Sequence, residues 1–227
     1  MAENTMTTKP VTAISGTAAS LSFTGTVSFM VLLTALHLIK PELDPSWRFI
    51  SEYAIGENGW MMVLAFLSLA MSYITLFIAL KLQLRTILGR IGLALLLVSA
   101  AGLIIAAIFT TDPITTSQDA MTSEGKLHSL GGTLGFAMPF AALLVSWSLA
   151  RNQAWSSARR SLLWSTGLAL IGFLVSLFSL GFMLSQSNGI FGPDVPVGWP
   201  TRLEMLGYCV WLLTVASHAA QLTKPKS

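Results

Sequence analysis

Trp60 to Leu80 reads WMMVLAFLSLAMSYITLFIAL, 21 residues without one charged side chain. At the helical rise per residue such a run spans about 30 Å, the thickness of a bilayer's hydrocarbon core, so it predicts a transmembrane helix. Working outward finds five more runs of the same kind: Phe23 to Ile39, Ile91 to Thr110, Leu130 to Ala150, Leu162 to Leu184 and Leu203 to Leu222. The whole chain agrees, with 53% hydrophobic and only 10% charged residues among its 227 and a mean hydropathy of +0.69. Soluble domains carry roughly 25% charged residues, which excludes a water-soluble globule. The expected fold class is all-α, a polytopic membrane protein with six transmembrane helices in one bundle. Residues 1–22 are expected to form a flexible cytoplasmic tail, 23–222 the transmembrane domain and 223–227 a second cytoplasmic tail.

Several function classes fall away at once. The one cysteine, Cys209, lies inside an apolar run, so neither an intramolecular disulfide nor a CxxC metal site is available. Basic residues occur singly or in pairs beside apolar segments, with no basic stripe interleaved with aromatics, so nucleic acid is not an expected partner. The first twenty residues hold one Lys and one Glu and lack the basic leader of a signal peptide. The first apolar segment is therefore expected to be retained.

Charge sets the orientation. Lys81, Arg85, Arg90, Arg151, Arg159, Arg160, Lys224 and Lys226 all fall on two short connections and the C-terminal tail, which contain no acid. By the positive-inside rule these face the cytoplasm, putting both termini inside a multi-pass protein of the inner (cytoplasmic) membrane. The opposite loops hold four bases and nine of the ten acids. They are also longer, and long loops with aromatics and paired charges tend to be functional, so the active surface is expected outside. Helices two, three and five have no ionisable group between their ends; a midplane relay lacks its residues. Gly131 with Gly135, and Gly172 with Ser176, offer small-xxx-small surfaces for close helix packing.

In the first outer loop Asp44-Pro45 reads as an N-cap followed by proline at the first helical position. It predicts a short interfacial helix from Asp44 to Tyr53, with Asp44 and Glu52 flanking Arg48 on one face. Arg48, Ser51, Glu52, Tyr53 and Arg202 are candidate substrate or anion contacts. In the second loop, Asp112 is held at the membrane surface by Pro113, and Glu124 stands four residues before His128, the spacing by which a carboxylate orients an imidazole. Asp112, His128 and Glu124 are the candidate catalytic residues. His37 lies at similar depth on the first helix. His37, Asp112 and His128 are the minimum set for an open zinc site, and His37 with His128 an alternative haem ligand pair. Thr201 and Glu204 read as the capping box of the last helix, with Arg202 free to pair with Asp112 or Glu52. No GxSxG, HExxH, Walker or Rossmann pattern occurs.

Four elements carry a family resemblance: SEYAIG with the following Gly59 and Trp60, FTTDP from Phe109 to Pro113, GKLH from Gly125 to His128, and RLEMLG from Arg202 to Gly207. Together they resemble domain-of-unknown-function family 998, six-helix membrane proteins of bacteria and archaea. The resemblance spans all six helices. It implies the fold and topology, leaves the reaction open, and singles out Ser51, Glu52, Tyr53, Asp112, His128 and Arg202. The favoured expectation is a lipid- or partner-binding accessory protein, with membrane lipids and a membrane-protein partner as its partners. The alternatives are an outer-leaflet lipid or amphiphile hydrolase, metal-assisted in one form, and a small carrier or channel.

Overall fold

The computed structural model describes residues 13–223. Seven helices make the six crossings: α1 (Ala13–Ile39), α2 (Gly59–Leu80), α3 (Ile87–Ile108), α4 (Ser123–Gly135), α5 (Met138–Ala150), α6 (Arg159–Gln186) and α7 (Gly198–Gln221). No strand occurs among the described residues. The start of α1 at Ala13 corrects the expected tail, since residues 13–22 are helical; the rest of the two tails, 1–12 and 224–227, lies outside the described residues. Gly16 packs on Thr223, so α1 begins where α7 ends. That end is called the terminal face, and the long loops lie at the distal face.

The fourth crossing, Ser123–Ala150, is apolar enough to span a membrane yet is not one helix. Pro139 lacks the N–H that would bond the carbonyl of Gly135 and its ring clashes there, so α4 ends at Gly135 and α5 starts at Met138. The two halves then take different neighbours. α5 packs between α3 and α6 and closes a ring whose order is α1, α2, α3, α5, α6, α7. α4 leans on α3 and makes no comparable contact with α6 or α7. The bundle is therefore sealed in its terminal half and parted between α4 and the α6–α7 pair in its distal half.

Small residues set the close contacts. A Cβ on Gly131 would lie 2.7 Å from the Gly102 oxygen, and one on Gly172 would lie 2.9 Å from Glu204 Cα. Gly131 and Gly172 thus serve as the spacing predicts, while Gly135 has nothing within 4 Å of an added Cβ. Hydroxyls supply hydrogen bonds between helices: Ser72 of α2 meets Thr26 of α1 at 2.7 Å, and Ser146 of α5 meets both Thr166 of α6 at 2.7 Å and the Trp211 indole of α7 at 2.8 Å.

Candidate functional site

The distal cover is a chain of polar contacts centred on two side chains. Glu52 is 1% exposed. Its Oε1 accepts from Arg48 Nη1 at 2.8 Å and from the Ile114 N–H at 3.0 Å, and its Oε2 from the Phe49 N–H at 2.9 Å. One carboxylate thereby ties the first loop to the second. Arg202 ties α7 to both α1 and the first loop: Nε donates to His37 Nε2 at 2.8 Å, and Nη1 to the carbonyls of Arg48 at 2.7 Å and Gly198 at 3.1 Å. The ring of Tyr53 lies against His37, centroids 4.9 Å apart. Buried Lys40 donates to the carbonyls of Tyr53 and Ile55.

Several expectations are corrected by this geometry. The helix expected from Asp44 is a turn followed by a short 3-10 helix, Ile50–Ala54. The Asp44 carboxylate accepts the Ser46 N–H at 2.9 Å, which holds its pKa below the usual value. Asp44 therefore caps a turn, and Glu52 alone pairs with Arg48. Arg202 pairs with His37 in place of Asp112 or Glu52. Asp112 accepts the Thr122 N–H at 2.8 Å and the Thr122 hydroxyl, anchoring the start of α4. His128 bonds through Nδ1 to the Phe109 carbonyl at 2.8 Å, whereas Glu124 is exposed and does not orient it.

The convergence of His37, Asp112 and His128 does not form. α1 is flanked by α2 and α7, not by α3 or α4, and no group of three His, Cys, Asp or Glu among the described residues could hold a metal ion. His37 also has no lone pair to offer. Nδ1 sits 2.7 Å from the Leu33 carbonyl and so carries the proton, and Nε2 is the acceptor for Arg202. The zinc and haem arrangements both lose their geometry here.

The structure brings together a different set. Behind the parted α4 lies a cavity of about 220 Å³, bounded by α2, α3, α4 and α7 and covered by Phe49, Ile50 and Ser51. Its wall is mainly apolar and aromatic, including Phe66, Tyr73, Phe136 and Tyr208. Phe136 and Phe140 both meet Phe173 of α6 edge-on at 6.1 Å, which closes the gap where α4 gives way to α5. Ser51 and His128 are the two sequence candidates that line it.

The acid in this cavity is Glu204. The helix starts at Gly198, and the Thr201 hydroxyl donates back to the Gly198 carbonyl at 2.9 Å. The expected capping box is thus absent, and Glu204 stands inside α7, about 9 Å beyond its first residue at 1.5 Å per residue. Tyr208 OH donates to its Oε1 at 2.7 Å, and Ser176 of α6 stands beside it. Arg48–Glu52 is the only ion pair among the described residues, so no base neutralises Glu204. Across the cavity Ser99 Oγ is buried, 1% exposed, and has no hydrogen-bond partner. The spacing of Glu204 and Tyr208 by four residues was the available sequence signal; assigning Glu204 to a cap hid it.

No curated protein and no solved structure matches the chain. A family match covers residues 23–218, from within α1 to the last turn of α7, and so includes both the distal cover and the cavity. The chain belongs to the family described as Protein of unknown function (DUF998).

Proposed function

We propose that this protein binds membrane amphiphiles, which enter its cavity sideways from the bilayer through the gap between α4 and the α6–α7 pair. The observation that carries the reading is that gap: a mainly apolar cavity with a few convergent polar groups is what a small-molecule site requires, and this one opens where two helices that face the membrane fail to meet. Membrane lipids are the partners it names. The charge asymmetry of the loops supports an external distal face, so the ligand comes from the outer leaflet of the inner membrane. The hydrolase alternative has less support, because Asp112 and His128 are each held in a backbone or capping bond and Glu124 is remote from both roles.

Gly132 lines the cavity with free space around an added Cβ, so Gly132→Trp fills the site without a clash against the backbone. Lipids retained by the purified protein are extracted and weighed by mass spectrometry. The wild type is expected to retain a defined amphiphile at near one per chain, lost in Gly132→Trp at unchanged thermal stability. Equal retention by both proteins overturns the reading.

A further inference from the structure

We infer that the ligand of this cavity is a cationic amphiphile, an ammonium group on an apolar tail, with the cation seated between Glu204 and the aromatic wall. The inference rests on the amphiphile reading above and names the headgroup.

A carboxyl group within a membrane helix is costly when ionised, and such groups are normally paired with a base or with backbone donors. Glu52 shows how this chain does that when the acid is structural. Glu204 has instead the Tyr208 hydroxyl and the neighbouring Ser176, both neutral, and no Lys or Arg in ion-pair range. The missing positive charge is the complement of the site. Phe49, Phe66, Tyr73, Phe136 and Tyr208 contribute to the lining around it, and ring faces attract ammonium ions, the arrangement by which aromatic cages hold choline-like groups. Ser99 is the second observation: a buried hydroxyl on the cavity wall with no partner. A serine within a helix can bond the preceding turn; this one makes no such bond, and its oxygen lone pairs are left for a cation. No positively charged side chain lines the cavity, so an anionic headgroup would meet Glu204 unshielded. The mainly apolar remainder of the wall takes the first part of the tail, which leaves through the gap into hydrocarbon.

The test uses the purified full chain in maltoside micelles with three photoreactive probes that share a hexadecyl tail and differ in headgroup: trimethylammonium, hydroxyl and sulfate. Labelled peptides are located by mass spectrometry, and thermal unfolding verifies that each protein is folded. The ammonium probe is expected to label the segment around Gly132 to Met138 at least about tenfold more than the sulfate, a difference of about 1.4 kcal/mol. In Glu204→Gln that preference is expected to fall to the level of the alcohol. Equal labelling by all three probes, or a preference that survives Glu204→Gln, overturns the cation while leaving amphiphile binding in place. Absence of labelling in this segment by every probe overturns both. Tetramethylammonium, which has no tail, is expected not to compete; if it displaces the ammonium probe, a free cation and not a membrane-borne one is the ligand, and the inference fails.

Discussion

Glu52 is buried and Glu204 half-buried, both in the distal half of the molecule, and their surroundings are opposite. Glu52 accepts three hydrogen bonds, one from Arg48 and two from backbone N–H groups. Every bond it makes joins one piece of the cover to another. Glu204 faces a cavity, with the Tyr208 hydroxyl donating at 2.7 Å, Ser176 beside it and no base. A carboxylate whose acceptor sites are filled by the protein holds the fold, and one whose charge is left open is where the proposed cation would sit. The same contrast runs through the glycines of α4, where Gly131 is pressed against α3 and Gly135 borders empty space.

The strongest way to break this comparison is Glu52→Ala. Removing the carboxylate strands the N–H groups of Phe49 and Ile114 and leaves Arg48 unpaired, so a loss of about 3 kcal/mol or more is expected. Thermal unfolding in detergent measures it. If Glu52→Ala unfolds no earlier than Glu204→Ala, the two acids do not differ in the way described. Next in size is Gly131→Leu, whose side chain must displace α3 from a Cβ position 2.7 Å from the Gly102 oxygen and 3.0 Å from the Ala106 nitrogen; overpacking of this kind costs about 1–3 kcal/mol. Gly135→Ala, by contrast, meets nothing and is expected to gain about 0.5 kcal/mol from the lower entropy of the unfolded chain. Paired unfolding curves of these two variants separate the packed face of α4 from the open one.

The crossings were legible because hydrocarbon imposes a long uncharged run on any helix that spans it, and Trp60 to Leu80 is such a run. Local signals were partly legible. α3 ends at Ile108, five residues short of Pro113, whereas Thr122 with the following Ser123 opens α4 with a true cap, Gly125 N–H to Thr122 Oγ1 at 3.0 Å. What failed was the step from depth to neighbourhood. His37 and His128 belong to the same distal half, as expected, but depth along a helix says nothing about which helices touch, and α2 and α7 stand on either side of α1. Glu204 was misread for a related reason: Thr201 and Glu204 have the spacing of a capping box, and only the earlier start of α7 at Gly198 turns the acid inward. The break at Pro139, which opens the cavity, lies within an otherwise continuous apolar run, where hydropathy carries no mark of it.

Arg202 sharpens the comparison from the other side, since it belongs wholly to the cover. Arg202→Met keeps much of the side-chain length and removes the bonds to His37, Arg48 and Gly198. The expected loss is about 1–2 kcal/mol, read as a lower unfolding temperature, with retention of the cavity's ligand unchanged at temperatures where the variant is folded. Loss of the ligand from folded Arg202→Met would join the two regions into one site.

The most discriminating comparison applies one chemical change to both acids. Replacing a carboxylate by an amide keeps the shape, turns one acceptor oxygen into a donor and removes the charge. At Glu52 all acceptor positions in use face N–H donors on both oxygens, so whichever way the amide turns, its NH₂ meets at least one N–H head-on, and Glu52→Gln is expected to cost about 1–3 kcal/mol. At Glu204 the amide oxygen continues to accept from Tyr208 OH, the NH₂ faces a cavity that contains an unpartnered Ser99 oxygen, and a charge without a base disappears. Glu204→Gln is therefore expected to change stability by less than about 1 kcal/mol, in the stabilising direction, because the penalty for an uncompensated charge is removed. Unfolding temperatures of the two variants, measured side by side without added ligand, decide the point: a Glu204→Gln protein as destabilised as Glu52→Gln would mean that Glu204 is a structural acid after all.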